Sequence, residues 1–94
     1  MIVSAVTRPR LAAKARLRFD RKAMRYMLLY PERGLVLNPT AAEIVRLCTG
    51  ENTVGDIVER LAGQYPCQTR EALEQEVLAF LRVMADRGLV QEAP

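Results

Sequence analysis

Two cysteines, Cys48 and Cys67, are the most reactive side chains in this chain of 94 residues, which contains no histidine. Thiolates ligate zinc or act as nucleophiles, but both kinds of site normally need imidazole or further cysteines beside them. Two isolated cysteines match no metal-ligand spacing. Without imidazole, no side chain titrates near neutral pH unless its environment shifts its pKa. We therefore predict no metal site, and we place Cys48, which lies on an apolar helical face, in the core.

The other polar residues form none of the usual catalytic patterns. We find no paired carboxylates at a useful spacing, no nucleophile beside a base and no glycine-rich phosphate loop. The sequence therefore predicts a protein that is not an enzyme and carries no cofactor.

Charge is distributed unevenly along the chain, although the net charge is only +3. Up to residue 25 a single acid, Asp20, stands among eight bases: Arg8, Arg10, Lys14, Arg16, Arg18, Arg21, Lys22 and Arg25. From Glu32 onward, acids outnumber bases. The basic segment is either a solvated strand face or a surface that attracts an acidic partner or nucleic acid.

The start of the chain does not resemble a signal peptide. The start, MIVSAVTRPR, is too short and too soon basic for a signal peptide, and no segment is apolar enough to span a bilayer. We expect a cytoplasmic protein with reduced thiols and no membrane partner.

The first half of the chain has the alternation of β-strands. In the first predicted strand, apolar Ala15, Leu17 and Phe19 alternate with Lys14, Arg16 and Arg18. A second strand is predicted from Ala23 to Tyr30, and a third from Gly34 to Leu37 after a turn at Pro31. Tight turns between the three predict an antiparallel meander.

The second half has helical periodicity in three segments. A capping box is predicted at Thr40 and Glu43 for the first helix, which Gly50 ends. The second helix begins at Thr53 and stops before Pro66, and the third runs from about Thr69 to Arg87. The sequence thus predicts an α+β fold, a three-stranded antiparallel sheet followed by three helices, resembling a winged helix. We expect a loose arm over 1–13, one domain over 14–90 and a tail over 91–94.

Two surfaces are more apolar than this fold requires. The third strand is an edge of the predicted sheet, and it carries no charge or proline to discourage pairing. The third helix is apolar over more than half its circumference: Leu78 and Ala85 widen the core stripe on one flank, and Ala79 and Val83 on the other. We predict that another polypeptide segment adds itself to the open edge, unless the N-terminal arm or a second copy covers it.

These residues resemble the PqqD family of pyrroloquinoline quinone biosynthesis. The resemblance lies in LLYPERGLVLNPTAAEIVRLCTGENTVGDIVERLAGQY and in VLAFLRVMADRGLV, and it extends from about Arg16 to Val90. The most specific elements are Pro31-Glu32, Leu37-Asn38 before Thr40-Ala41, Leu47-Cys48 before Gly50, Thr53-Val54 with Ile57, and Gly88-Leu89.

The resemblance implies a non-catalytic domain, a RiPP recognition element, that binds the leader of a ribosomally made precursor between its third strand and third helix. In this pathway the precursor is PqqA, presented to the radical S-adenosylmethionine enzyme PqqE for a Glu–Tyr cross-link; the enzyme holds the cofactors. The implied peptide-binding residues in this chain are Arg33, Gly34, Leu35, Val36 and Leu37 on the strand, with Leu78, Leu81, Arg82 and Ala85 on the helix.

A winged-helix nucleic-acid-binding regulator is the alternative. Its recognition helix would need basic residues, whereas the second and third helices carry Asp56, Glu59, Glu71, Glu74, Glu76 and Asp86. We therefore expect no nucleic-acid partner. An open edge strand also permits a homodimer.

Overall fold

The computed structural model describes residues 2–94 and contains five strands and three helices in that part of the chain. The elements are β1 (Pro9–Leu11), β2 (Arg16–Asp20), β3 (Arg25–Tyr30), β4 (Arg33–Leu37), α1 (Pro39–Leu47), α2 (Val54–Gln64), α3 (Arg70–Asp86) and β5 (Val90–Glu92). None of the three helices over residues 2–94 has the length and the continuous apolar character of a membrane span.

The predicted meander and three helices are confirmed. Strands β2, β3 and β4 form an antiparallel sheet in that order, with Arg18 opposite Met27 and Met27 opposite Val36. Directly opposed residues place their side chains on one face, so the apolar residues Leu17, Leu28 and Leu35 lie together. This face packs on α1 and joins the core cluster with the helices.

The chain ends differ from the loose arm over 1–13 and the tail over 91–94 that the sequence predicts. β1 and β5 pair antiparallel as a second, two-stranded sheet, with Arg10 opposite Gln91. Val3, Thr7 and Ala12 are buried, and the backbone N–H of Gly50 donates to the carbonyl of Pro9 at 2.9 Å. The arm is structured because it buries apolar side chains and satisfies backbone groups at both chain ends. Met1 lies outside the described residues.

The helix ends follow the sequence signals with one exception. Thr53 and Asp56 form a reciprocal capping box at α2, Thr69 caps α3, and Gly88 ends α3 with φ +71°. The prediction of a box at Thr40 and Glu43 was wrong. The Asn38 side chain caps α1 instead, accepting a hydrogen bond from the Ala41 N–H at 2.7 Å. Pro39 then occupies the first turn, where its missing N–H costs nothing.

This assignment predicts different effects for two neighbouring substitutions. Asn38→Ala is expected to lower the free energy of unfolding by about 1 kcal/mol, because it removes the acceptor of an otherwise unpaired helix N–H. Thr40→Ala is expected to change it by less than about 0.5 kcal/mol, since its hydroxyl makes only a long contact of 3.4 Å to the Tyr65 hydroxyl. Urea unfolding of both variants provides the comparison. If Thr40→Ala lowered the free energy of unfolding more than Asn38→Ala does, the capping box predicted at Thr40 and Glu43 would be supported instead.

The core lies between the inner sheet face and the three helices. Its largest fully buried members come from β3, from all three helices and from the residue before β5: Leu28, Ile44, Ile57, Leu61, Leu73, Leu81, Met84 and Leu89. This core fixes α3 relative to the sheet, and so sets the distance between α3 and the edge strand β4.

Candidate peptide-binding site

The outer edge of β4 is unpaired in the part of the chain that the structure describes. β4 pairs only with β3, while β1, the strand of the N-terminal arm, pairs with β5. The alternative that residues 2–13 cover this edge is therefore wrong. Arg33 at the start of β4 is charged, but Gly34 to Leu37 carries no charge or proline, so this stretch does not oppose pairing with another chain.

The side chains of β4 alternate between two environments. Leu37 is buried and Leu35 is half-buried, and both face the helices, opposite Tyr26 and Leu28 of β3. Val36 is on the other face and is 50% exposed. A strand added beside β4 would alternate in the same way, with every second side chain turned toward α3.

A groove of about 410 Å³ runs between β4 and α3. Its strand side consists of Leu35, Val36, Leu37 and Asn38, with Ala41 of α1; its helix side consists of Ala79, Phe80, Val83, Met84 and Arg87. The volume is in the usual range for ligand pockets, and most of the lining is apolar. Val83 is 51% exposed, which leaves apolar surface uncovered beside the open strand edge.

The structure brings most of the predicted strand residues to the groove, whereas the four predicted helix residues do not line it. Leu35, Val36 and Leu37 line the groove, and Arg33 and Gly34 precede them on the same strand. Leu78 and Leu81 belong instead to the buried core, and Arg82 and Ala85 lie outside the groove lining. The domain thus covers the Leu78 flank with its own residues, and the opposite flank of α3 is the open one.

Three of the groove residues that the sequence prediction missed share one helical row. Ala79, Val83 and Arg87 are spaced four residues apart and so form one ridge along α3. The apolar character of Ala79 and Val83 was visible in the sequence, but both flanks of α3 are apolar. Choosing between them requires knowing on which side β4 meets the helix.

The groove carries positive charge and no acid among its lining residues. Arg87 lines it at the C-cap of α3, and Arg33 begins β4. Neither is in an ion pair within residues 2–94. An apolar segment with an acidic residue near one end therefore suits this groove better than a basic segment.

The two thiols of the described structure differ in exposure. Cys48 is 4% exposed, donates to the Ile44 carbonyl at 3.1 Å, and burial raises the pKa of its thiol to about 12. Its predicted core position is confirmed. Cys67 is free and exposed, and residues 2–94 contain no group of three potential metal ligands.

This difference predicts two rates of thiol modification. With a disulfide reagent at mildly alkaline pH, Cys67 is expected to react promptly, and Cys48 only when the protein unfolds, because the reactive thiolate of Cys48 is strongly disfavoured. The absorbance of the thiolate that the reagent releases gives the number of reacted cysteines, measured once without urea and once with it. The Cys67→Ser variant, which retains only Cys48, is the control. Prompt reaction of this variant without urea would contradict the buried position of Cys48.

The family model of coenzyme PQQ synthesis protein D (PqqD) matches residues 25–90. The chain belongs to the PqqD family. The matched segment begins at β3 and contains all of β4 and α3, so both walls of the groove lie within the part of the chain that defines the family.

Curated relatives in the PqqD family match nearly the full chain. A protein from Bradyrhizobium diazoefficiens named PqqA binding protein is 40% identical over 91 residues, which is 97% of this chain and 87% of that protein. A protein of the same name from Methylococcus capsulatus is 32% identical over 82 residues, covering 87% of this chain and 85% of its own.

A solved structure supports the fold of this PqqD family member. The PqqD truncation of Methylobacterium extorquens PqqCD, described as a functional stand-alone RiPP recognition element, superposes with a TM-score of 0.81 at 31% identity. The superposition covers 95% of this chain and 94% of that one.

Proposed function

We propose that this chain is a non-catalytic, cytoplasmic peptide-binding domain of pyrroloquinoline quinone biosynthesis. It binds the precursor peptide PqqA by strand addition to β4 and presents it to the radical S-adenosylmethionine enzyme PqqE for Glu–Tyr cross-linking. The observation that carries the proposal is the unpaired edge of β4, uncharged from Gly34 to Leu37, beside an apolar groove. The name of the curated relatives and the description of the solved structure support the same partner class.

Strand addition accounts for both affinity and selectivity. The outward N–H and C=O groups of β4 bond to the peptide backbone whatever its sequence. Side chains on one face of the peptide then pack against Phe80 and Val83, while those on the other face lie beside Val36. Selectivity therefore depends on alternate apolar residues of the leader, with an acid favoured near Arg87.

The chain supplies binding rather than chemistry in this proposal. The iron–sulfur clusters and S-adenosylmethionine belong to the partner enzyme, and this domain fixes the leader so that the reacting residues reach the enzyme at a raised local concentration.

The experiment is a titration of isotope-labelled protein with synthetic PqqA, followed through the backbone amide signals. We expect shifts at Gly34 to Asn38 and along the Ala79, Val83 and Arg87 row, and small shifts at Arg82. Shifts confined to β2 would refute the groove. Duplex DNA is titrated in parallel, and sub-micromolar DNA binding without peptide binding would favour the nucleic-acid-binding alternative.

The same open edge allows two copies to pair through β4 when peptide is absent. In that case PqqA competes with the second copy, because both occupy one strand edge. Solution mass measured with and without peptide distinguishes a peptide-sensitive dimer from a monomer.

A further inference from the structure

The tip of the β2–β3 hairpin is a basic surface whose charges are not neutralised within the described chain. Arg18, Arg21, Lys22 and Arg25 lie within it, and the ion pairs of residues 2–94 involve none of them. Asp20 is the acid nearest in sequence, and it is engaged in the turn, where its carboxylate accepts from the backbone N–H groups of Lys22 and Ala23 at 3.0 and 3.3 Å. The tip therefore attracts an anionic partner.

The same tip exposes large apolar side chains. Met24 is 73% exposed and Phe19 is 41% exposed. Phe19 packs edge-on against Tyr26, with ring centroids 5.0 Å apart, and borders two hollows of about 650 and 370 Å³ on opposite sides of the sheet. Met24 has a left-handed φ of +54°, a conformation that a long side chain adopts at a cost. Exposed apolar groups ringed by charge are typical of protein-binding sites.

The hairpin tip lies beside one end of the peptide groove. Phe19 is opposite Tyr26, and Tyr26 is opposite Leu37 at the end of β4. Adjacent strands are about 4.8 Å apart, so the backbones of Phe19 and Leu37 are separated by roughly 10 Å. Leu37 lines both the groove and the smaller hollow. A peptide bound along β4 therefore enters or leaves the groove next to this tip.

We propose that the hairpin tip is a second docking surface, formed by Arg18, Phe19, Arg21, Lys22, Met24 and Arg25, for a protein with an acidic surface that carries an apolar anchor side chain. Resting on the proposed function, the partner is the modifying enzyme itself. Docking there places the enzyme where the bound peptide emerges from β4, so one domain holds the leader on one surface and the enzyme on another.

The chemistry of the tip favours a protein over a nucleic acid. Its hollows are lined by apolar groups such as Met27 and Leu29 on one side and Leu37 and Pro39 on the other. Aliphatic and thioether groups suit an apolar side chain, whereas a phosphate backbone gains nothing from them. Charge steers the encounter and the apolar anchor holds the complex.

The test measures binding of fluorescently labelled protein to PqqE with PqqA present. Arg18→Glu/Arg21→Glu and Phe19→Ser are each expected to weaken enzyme binding by about tenfold or more, while binding of PqqA alone is unchanged. Raising the salt concentration from about 50 to 300 mM is expected to weaken the wild-type complex, with little further effect on the double variant. Arg10→Glu/Arg60→Glu, an equal charge change at exposed positions of β1 and α2 outside both surfaces, is the control.

Several results would overturn the proposal. The first is that the hairpin variants bind the enzyme as tightly as wild type. The second is that the control variant loses as much enzyme affinity as the hairpin variants. The third is that wild-type protein binds PqqA but does not bind the enzyme. If replacing Arg18 and Arg21 weakens binding of duplex DNA or self-association, but not binding of the enzyme, the tip is assigned to that other partner. Failure of the proposed function is seen separately, as wild-type protein that does not bind PqqA. Circular dichroism verifies that each variant is folded. If Phe19→Ser does not fold, the Arg18→Glu/Arg21→Glu variant alone tests the proposal.

Discussion

Replacing Val83 by glutamate is expected to weaken PqqA binding by at least about tenfold while the free protein stays folded. Val83 is 51% exposed on the open flank of α3, so a carboxylate there remains hydrated without peptide. A peptide strand that covers the groove removes that water and leaves the charge beside apolar side chains such as Phe80. The dissociation constant from fluorescence anisotropy with labelled peptide is the measurement.

The matched control for this prediction is Gln75→Glu. It makes the same change in net charge on the same helix, at an exposed position that does not line the groove. We expect its affinity for the peptide to stay within about twofold of wild type, as for a screened surface charge. Equal losses in both variants would indicate a general charge effect, and an unaffected Val83→Glu would remove this flank from the site.

Replacing Leu81 by alanine is expected to lower the free energy of unfolding by about 2–5 kcal/mol. Leu81 is 0% exposed, so truncation loses buried apolar contact and leaves a cavity that the surrounding side chains fill only partly. A domain of this size has a total stability on the order of 5–10 kcal/mol, so this is a large fraction of it. Urea unfolding followed by circular dichroism gives the value.

The neighbouring Arg82→Ala is the control for Leu81→Ala, because its side chain is exposed and makes no ion pair in the described structure. A change below about 0.5 kcal/mol is expected. This pair also separates the two assignments of α3. If Leu81 were a groove residue, as the family resemblance implied, its truncation would weaken peptide binding at little cost to stability. The core position predicts the reverse for protein that remains folded.

Local signals explain why most of the fold was predictable. Each of these signals acts over a few residues and agrees with the structure. They are the alternation in β2, the helix caps at Thr53 and Thr69, and the helix-ending Gly88. The missed cap of α1 was local too. Asn38 and Thr40 both precede the helix with suitable side chains, and Pro39 favours Asn38 because proline is best accommodated in the first turn.

Features that depend on distant parts of the chain were not predictable from short patterns. β1 is three residues long, contains a proline, and pairs with β5 at the other end of the chain. So short a segment shows no periodicity, and only its partner makes it a strand. The open flank of α3 is a problem of the same kind. Its two apolar flanks look alike in sequence, and the packing of the helix against the rest of the core decides which one faces β4.

The unpaired edge of β4 connects these results to function. The first strand of the sheet carries arginines that discourage pairing, whereas Gly34 to Leu37 carries none. Natural sheets protect edges that are not meant to bind. This contrast between the two edges of the sheet is why we propose that β4, and not β2, receives a strand from another chain.

Amide hydrogen exchange of β4 with and without saturating PqqA tests strand addition most directly. In an edge strand, alternate N–H groups point away from the sheet and exchange freely, and a new neighbouring strand accepts hydrogen bonds from them. We predict that alternate amides between Gly34 and Asn38 become protected by about tenfold or more, while those already bonded to β3 change little. Peptide that binds at saturation without protecting any outward amide of β4 would contradict strand addition.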